Sequence, residues 1–144
     1  MKSVHKIIAN LGLQEKDKNN NGLKNAIEAM IGFKLPADYL YFAEGYNGFE
    51  GFIGEEYVRL WDIENLIEEN SGYAIVQELD NTIGIGGNGG GEFLAIEMLG
   101  EGAYRVVLSP FIDLDKKYFV DVGSSFTDFL QRLVEGRTWF EDKH

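Results

Sequence analysis

The chain has 144 residues, 44% of them hydrophobic and 13% aromatic, enough to bury one core and to exclude a disordered or low-complexity protein. Its 24 acidic and 13 basic residues give a formal charge of −11, which disfavours contact with phosphate backbones and anionic membranes and favours a basic partner. There is no cysteine, so disulfides, thiolate metal sites and cysteine nucleophiles are excluded together.

The N-terminal segment MKSVHKIIANLGLQ carries a short, interrupted apolar run that does not read as a signal peptide. Nor does any stretch approach the roughly 20 apolar residues that span a bilayer. A soluble, cytoplasmic protein is expected. Ser3 is a natural cap for a first helix carrying Val4, Ile7, Ile8 and Leu11 on one face and ending at Gly12. After a polar stretch from Gln14 to Gly22, a second helix places Leu23, Ala26, Ile27, Met30 and Ile31 on one stripe. Leu35-Pro36 stops the chain and starts a third helix with Tyr39, Leu40, Phe42 and Ala43, which runs out at Gly45.

Beyond that point the pattern changes to strands. Residues 57–60 read as a strand, and Trp61, Ile63, Leu66 and Ile67 as a short helix. Residues 73–76, 82–85, 93–98, 104–108 and 118–122 are further strands, separated by Gly, Asn and Asp turns. Because no long helix intervenes, the sheet is expected to be antiparallel. The last helix is the clearest. Ser125 caps it, and Phe126, Phe129, Leu130, Leu133 and Val134 form one apolar stripe before Gly136. The expected architecture is a single α+β domain over residues 1–144, mainly an antiparallel sheet flanked by N-terminal helices and a C-terminal helix.

Three motifs suggest chemistry. Asp17, Asn19, Asn21, the Leu23 carbonyl and Glu28 satisfy the spacing of a calcium loop, with Gly22 at its sharp turn. Only two of those ligands are carboxylates and no second loop accompanies them, so an Asn/Gly-rich lead into a helix is the plainer reading and no metal is expected. The run from Gly84 to Gly89 matches G-x-G-x-x-G, but a strand follows where a dinucleotide site needs a helix. The only histidines, His5 and His144, lie near opposite ends of the chain, and the acidic pairs Glu55/Glu56, Glu68/Glu69 and Asp113/Asp115 read as solvated turns. No catalytic residue and no cofactor are expected. Tyr39, Phe42, Trp61, Phe126 and Phe129 read as core, whereas Phe49 and Phe52 lie in a glycine-rich loop beside acidic residues and suit interface anchors.

Several segments occur in a telling order: Glu28 to Tyr39 (EAMIGFKLPADY), Asn47-Gly48, Leu60 to Leu66 (LWDIENL), Glu69-Asn70, Ile83 to Glu92 (IGIGGNGGGE) and Ser125 to Leu130 (SFTDFL). Together they resemble the SUKH superfamily, which holds yeast cell-wall-synthesis regulators and many bacterial immunity proteins, over about residues 25–134. Where the family usually has an aspartate in the glycine segment, this chain has Gly87 or Asn88. The resemblance implies an α+β domain that binds a cognate protein toxin, often a nuclease, and neutralises it without catalysis. A basic toxin agrees with the charge. The expected contact residues are Glu50, Glu55, Glu56, Asp80, Asp113 and Asp115 in turns around the sheet, with Phe49 and Phe52. A general regulatory scaffold, and a calcium- or small-ligand-binding domain, are the alternatives.

Overall fold

The computed structural model describes residues 3–16 and 22–140. In chain order its elements are α1 (Val4–Leu11), α2 (Leu23–Ile31), α3 (Ala37–Gly45), β1 (Phe49–Ile53), β2 (Glu56–Leu60), α4 (Leu66–Gly72), α5 (Ile75–Glu78), β3 (Thr82–Gly87), β4 (Glu92–Gly100), β5 (Ala103–Pro110), β6 (Val120–Gly123) and α6 (Phe126–Val134). Short 3-10 turns stand at Ile63–Asn65 and Lys116–Tyr118. The single α+β domain has one six-stranded sheet in the order β1-β2-β3-β4-β5-β6, every neighbouring pair antiparallel. None of the described helices is long and apolar enough to cross a membrane.

Local chemistry sets the helix ends. The Ser3 hydroxyl accepts the Lys6 N–H at 3.4 Å, and the Ser125 hydroxyl accepts that of Asp128 at 2.9 Å. Alternation along β4 then sends Leu94 and Ile96 to one face of the sheet, and Phe93 and Ala95 to the other. On the first face Ile7, Ile8, Tyr39, Phe42, Phe126, Phe129 and Leu130 complete the main core. On the second, Ile75 and Leu79 pack against Phe93, Ala95 and Val107. Covering on both sides explains why all six residues of β3 are buried. Asp38 joins two helices of the main core. Its carboxylate accepts both the N–H and the hydroxyl of Thr127, each at 2.8 Å, and so satisfies an otherwise orphaned donor in the first turn of α6.

The structure departs from the sequence pattern in four places. Residues 73–76 are not a strand: Ala74 takes a left-handed φ of 59° and α5 follows. Ile75 and Leu79, four apart, both turn into the second core cluster, and that spacing suits a helix. Phe49 and Phe52 are not in a loop but on β1, because Gly54 (φ 61°) closes a tight turn and β2 offers a full row of backbone partners. Residues 116–118 form a 3-10 turn capped by Asp115, which delays the last strand to Val120. Trp61 is half-buried, at the margin where the two core clusters meet.

Glu97 is the most consequential buried charge. It accepts from Arg105 at 2.7 Å and pairs with Lys116 at 2.9 Å on the second face of the sheet. Burial pushes its pKa up, but hydrogen bonds from Lys116 and Arg105 outweigh this and hold the carboxyl below its usual range. Asp62 and Asp128 are likewise depressed, burial being overcome by hydrogen bonds involving Lys16, Glu64 and Gly48, and Ser124 and Arg132, respectively. A carboxyl with a lower pKa folded than unfolded contributes stability that is complete above the unfolded value and disappears as pH falls through the folded one. Unfolding free energy is therefore expected to hold steady above about pH 5 and to decline below about pH 4. Denaturant titrations at pH 6, 4 and 3 test this, and Glu97→Gln should flatten part of the slope. A level profile would contradict it.

Candidate partner-binding surface

The hairpin β1–β2 forms one edge of the sheet, and its register pairs Glu50 with Arg59 and Phe52 with Tyr57. With side chains alternating, these four share the face opposite Val58 and Leu60, which enter the main core. Phe52 is 70% exposed and packs edge-on against Tyr57, ring centroids 5.4 Å apart. The Tyr57 hydroxyl donates to Glu50, a contact that raises the phenol above its ordinary pKa, and Arg59 pairs with the same carboxylate at 3.6 Å. The hairpin's base is held by Asp62, which accepts from the Lys16 ammonium at 2.8 Å and from the Gly48 N–H at 3.4 Å.

The same face continues inward as an aromatic row. Trp61 and Tyr73 are nearly parallel at 7° with centroids 6.3 Å apart, Tyr73 meets Phe111 at 4.3 Å, and Phe111 meets Phe93 at 5.2 Å. Beside this row lies a cleft of about 120 Å³ lined by Arg59, Trp61, Glu69, Tyr73, Glu92 and Phe111, with the backbone of Gly87, Gly89 and Gly90 closing it. Glu92 accepts from the Asn88 amide at 2.7 Å, whereas the Glu69 carboxylate has no partner among the described residues. From Phe52 to Phe111 the face thus combines exposed rings with carboxylates, a pattern suited to gripping a basic surface.

The residues singled out from the sequence are distributed unevenly on this frame. Glu50 and Phe52 stand on the outer face of the hairpin, and Glu55 is exposed at its turn. Phe49 points the other way and packs half-buried against the main core. Glu56 accepts the Trp139 N–H at 2.7 Å, so it ties down the segment after α6. Asp113 and Asp115 are exposed in the loop after β5, which the Phe111 N–H to Gly91 carbonyl bond (2.9 Å) sets beside the glycine turn. Asp80 lies elsewhere: Thr82 pairs with Glu97 and Gly87 with Arg59, so Asp80 sits at the end of β3 remote from the hairpin turn.

Of the calcium-loop positions, Asp17, Asn19 and Asn21 lie outside the described residues. Leu23 opens α2, and Glu28 is buried with its carboxylate accepting the Leu35 N–H at 2.7 Å, Lys34 standing 3.7 Å away. Among the described residues no three of His, Cys, Asp and Glu are grouped where a metal could be held. His5 packs edge-on against Tyr41, centroids 4.0 Å apart. Sequence reading missed Arg59, Trp61, Glu69, Tyr73, Glu92 and Phe111 as one group. Its only local signal is that Tyr57, Arg59 and Trp61 keep strand alternation past the end of β2.

A six-strand antiparallel meander with helices on both faces and an aromatic, acidic edge defines the class of domain. The chain matches the model of the SMI1/KNR4 family (SUKH-1) over residues 24–132 and belongs to that family. No curated protein matches it.

Proposed function

We propose that this domain acts without catalysis, as an immunity protein that binds a cognate basic toxin, of the nuclease kind, and covers the surface with which that toxin grips phosphate. The observation that carries the reading is the continuous face from Phe52 through Tyr57 to the Trp61–Tyr73–Phe111 row, rimmed by Glu50, Glu69 and Glu92, with Glu55 exposed at the hairpin turn, on a chain of formal charge −11. Exposed rings supply desolvated anchors, and the carboxylates raise the encounter rate with a positive partner. Family membership is consistent with a toxin-immunity role.

The deciding experiment co-expresses the chain with the toxin encoded beside its gene. Growth is rescued and a one-to-one complex is isolated if the reading is right; continued killing by an active toxin overturns it. Glu50 and Glu55 are the charges to reverse because both are exposed on the hairpin, whereas Glu56 holds the Trp139 N–H. Glu50 is shared with Tyr57 and Arg59, so its reversal also releases Arg59. Glu50→Lys with Glu55→Lys should slow association about tenfold at low salt, and most of the difference should vanish near 0.5 M salt, as screening requires. Stopped-flow association rates at two ionic strengths measure this. An equal effect at both salts would remove the electrostatic part of the argument.

A further inference from the structure

The cleft beside Trp61 has a chemistry more specific than a general acidic face. Trp61 and Tyr73 offer near-parallel rings, and Phe111 packs against Tyr73 at a tilt of 38° with centroids 4.3 Å apart. Glu69 and Glu92 supply carboxylates at its margin, one of them, Glu69, without a partner among the described residues. Arg59 also lines the cleft and pairs with Glu50 at 3.6 Å in an exposed contact; against its one positive charge the cleft sets two carboxylates, Glu69 and Glu92. The remaining wall is glycine backbone, which leaves the rings accessible.

Resting on the toxin-binding reading, we propose that this cleft is an arginine receptor: one arginine side chain of the basic partner enters it, stacking on the Trp61–Tyr73 rings and donating to Glu69. A planar guanidinium suits both features at once. Its flat face lies on aromatic rings, and its forked N–H groups match a carboxylate in two parallel hydrogen bonds. A lysine ammonium has a charge but neither the plane nor the fork. The remaining carboxylates of the face would then attract the partner in general, while the cleft sets the register in which it docks.

The test needs no toxin. Acetyl-Gly-Arg-Gly-amide is titrated into the full chain at low salt and followed by the Trp61 indole and Gly89–Gly90 amide resonances, with the lysine and citrulline peptides as comparisons. The arginine peptide should shift those signals saturably in the millimolar range, the lysine peptide should bind at least about fivefold more weakly, and the neutral citrulline peptide should not bind. Glu69→Gln, which keeps the shape of a half-buried side chain, should weaken arginine binding about tenfold; Tyr73→Leu should do the same and abolish the arginine-over-lysine preference. Equal binding of arginine and lysine, indifference to both variants, absence of binding, or saturation by inorganic phosphate instead would each overturn the assignment. Growth rescue by the parent chain, set beside the peptide titration, separates the two proposals. Arginine binding with rescue failing removes the immunity reading alone, whereas rescue with no arginine binding removes only the cleft's role.

Discussion

Replacing Asn70 by alanine is expected to lower the unfolding free energy by about 3 kcal/mol and the melting temperature by about 10 °C. Asn70 is fully buried on α4, and its side-chain amide donates to the carbonyls of Leu66 (2.8 Å) and Gly84 (2.9 Å) while its oxygen accepts the Gly84 N–H at 2.7 Å. β2 pairs with β3 only at Gly86 and Gly87, so at Gly84 that side of β3 has no strand beside it. The asparagine amide supplies the missing donor and acceptor there. Alanine would leave both backbone groups of Gly84 buried and unpaired, each at a desolvation cost of about 1–3 kcal/mol. Asn70→Asp should be no better, because it removes the donor and buries a charge. A loss under about 1 kcal/mol in urea titrations would show that the side-chain bonds are not what joins α4 to the sheet. The same contact explains a glycine: a Cβ at Gly84 would stand 2.7 Å from the Ile75 side chain and 3.3 Å from the Asn70 amide oxygen.

Gly86→Ala should be comparably severe for a different reason. A Cβ there would lie 1.9 Å from the Arg59 carbonyl oxygen and 3.0 Å from the Leu60 Cα, both backbone, which cannot swing aside. The seam between β2 and β3 consists of the pairs Arg59 with Gly87 and Leu60 with Gly86, extended by the Trp61 N–H to the Ile85 carbonyl at 2.8 Å. Forcing it open should cost about 3 kcal/mol or more, at the upper end of overpacking effects. The loss should be local in character: hydrogen exchange of residues 49–60 should rise well beyond that of β4 and β5, and partner binding should fall with it. Gly91→Ala, where a Cβ meets no atom within 4 Å, should stay within about 0.5 kcal/mol of the parent. If the two alanines behave alike, the seam is not a steric fit.

What could be read from the chain follows how local each determinant is. Ser3, Ser125 and Gly136 act within a turn or two of their own positions, so the first and last helices were legible in outline. The antiparallel order was legible because short strands follow one another with turns between them. Tyr73-Ala74-Ile75-Val76 has strand composition but becomes the start of a helix, since what decides it is Phe93, Ala95 and Val107 waiting on the second face of the sheet. The carboxylates Glu50 and Glu55 were identifiable as surface groups by residue type; Phe52 was not, because the same reading covered Phe49, which packs against the main core. The cleft was not, because residues 59–61, 69–73, 87–92 and 111 converge only when the glycine turn, α4 and the end of β5 come together. The order of short segments told more about family than any one of them, and Asp38 and Asn70 show why: each ties two of those segments across the fold.

The narrow join between β2 and β3 has an evolutionary implication. The outward-facing side chains of the edge hairpin can be rewritten with little disturbance to the central strands, because so few backbone bonds link the two. A lineage of such domains would be free to track a changing adversary by revising one ribbon while inheriting the scaffold intact. Related chains should therefore differ most at the positions of Glu50, Phe52, Glu55 and Tyr57, and least around Asn70 and Gly86.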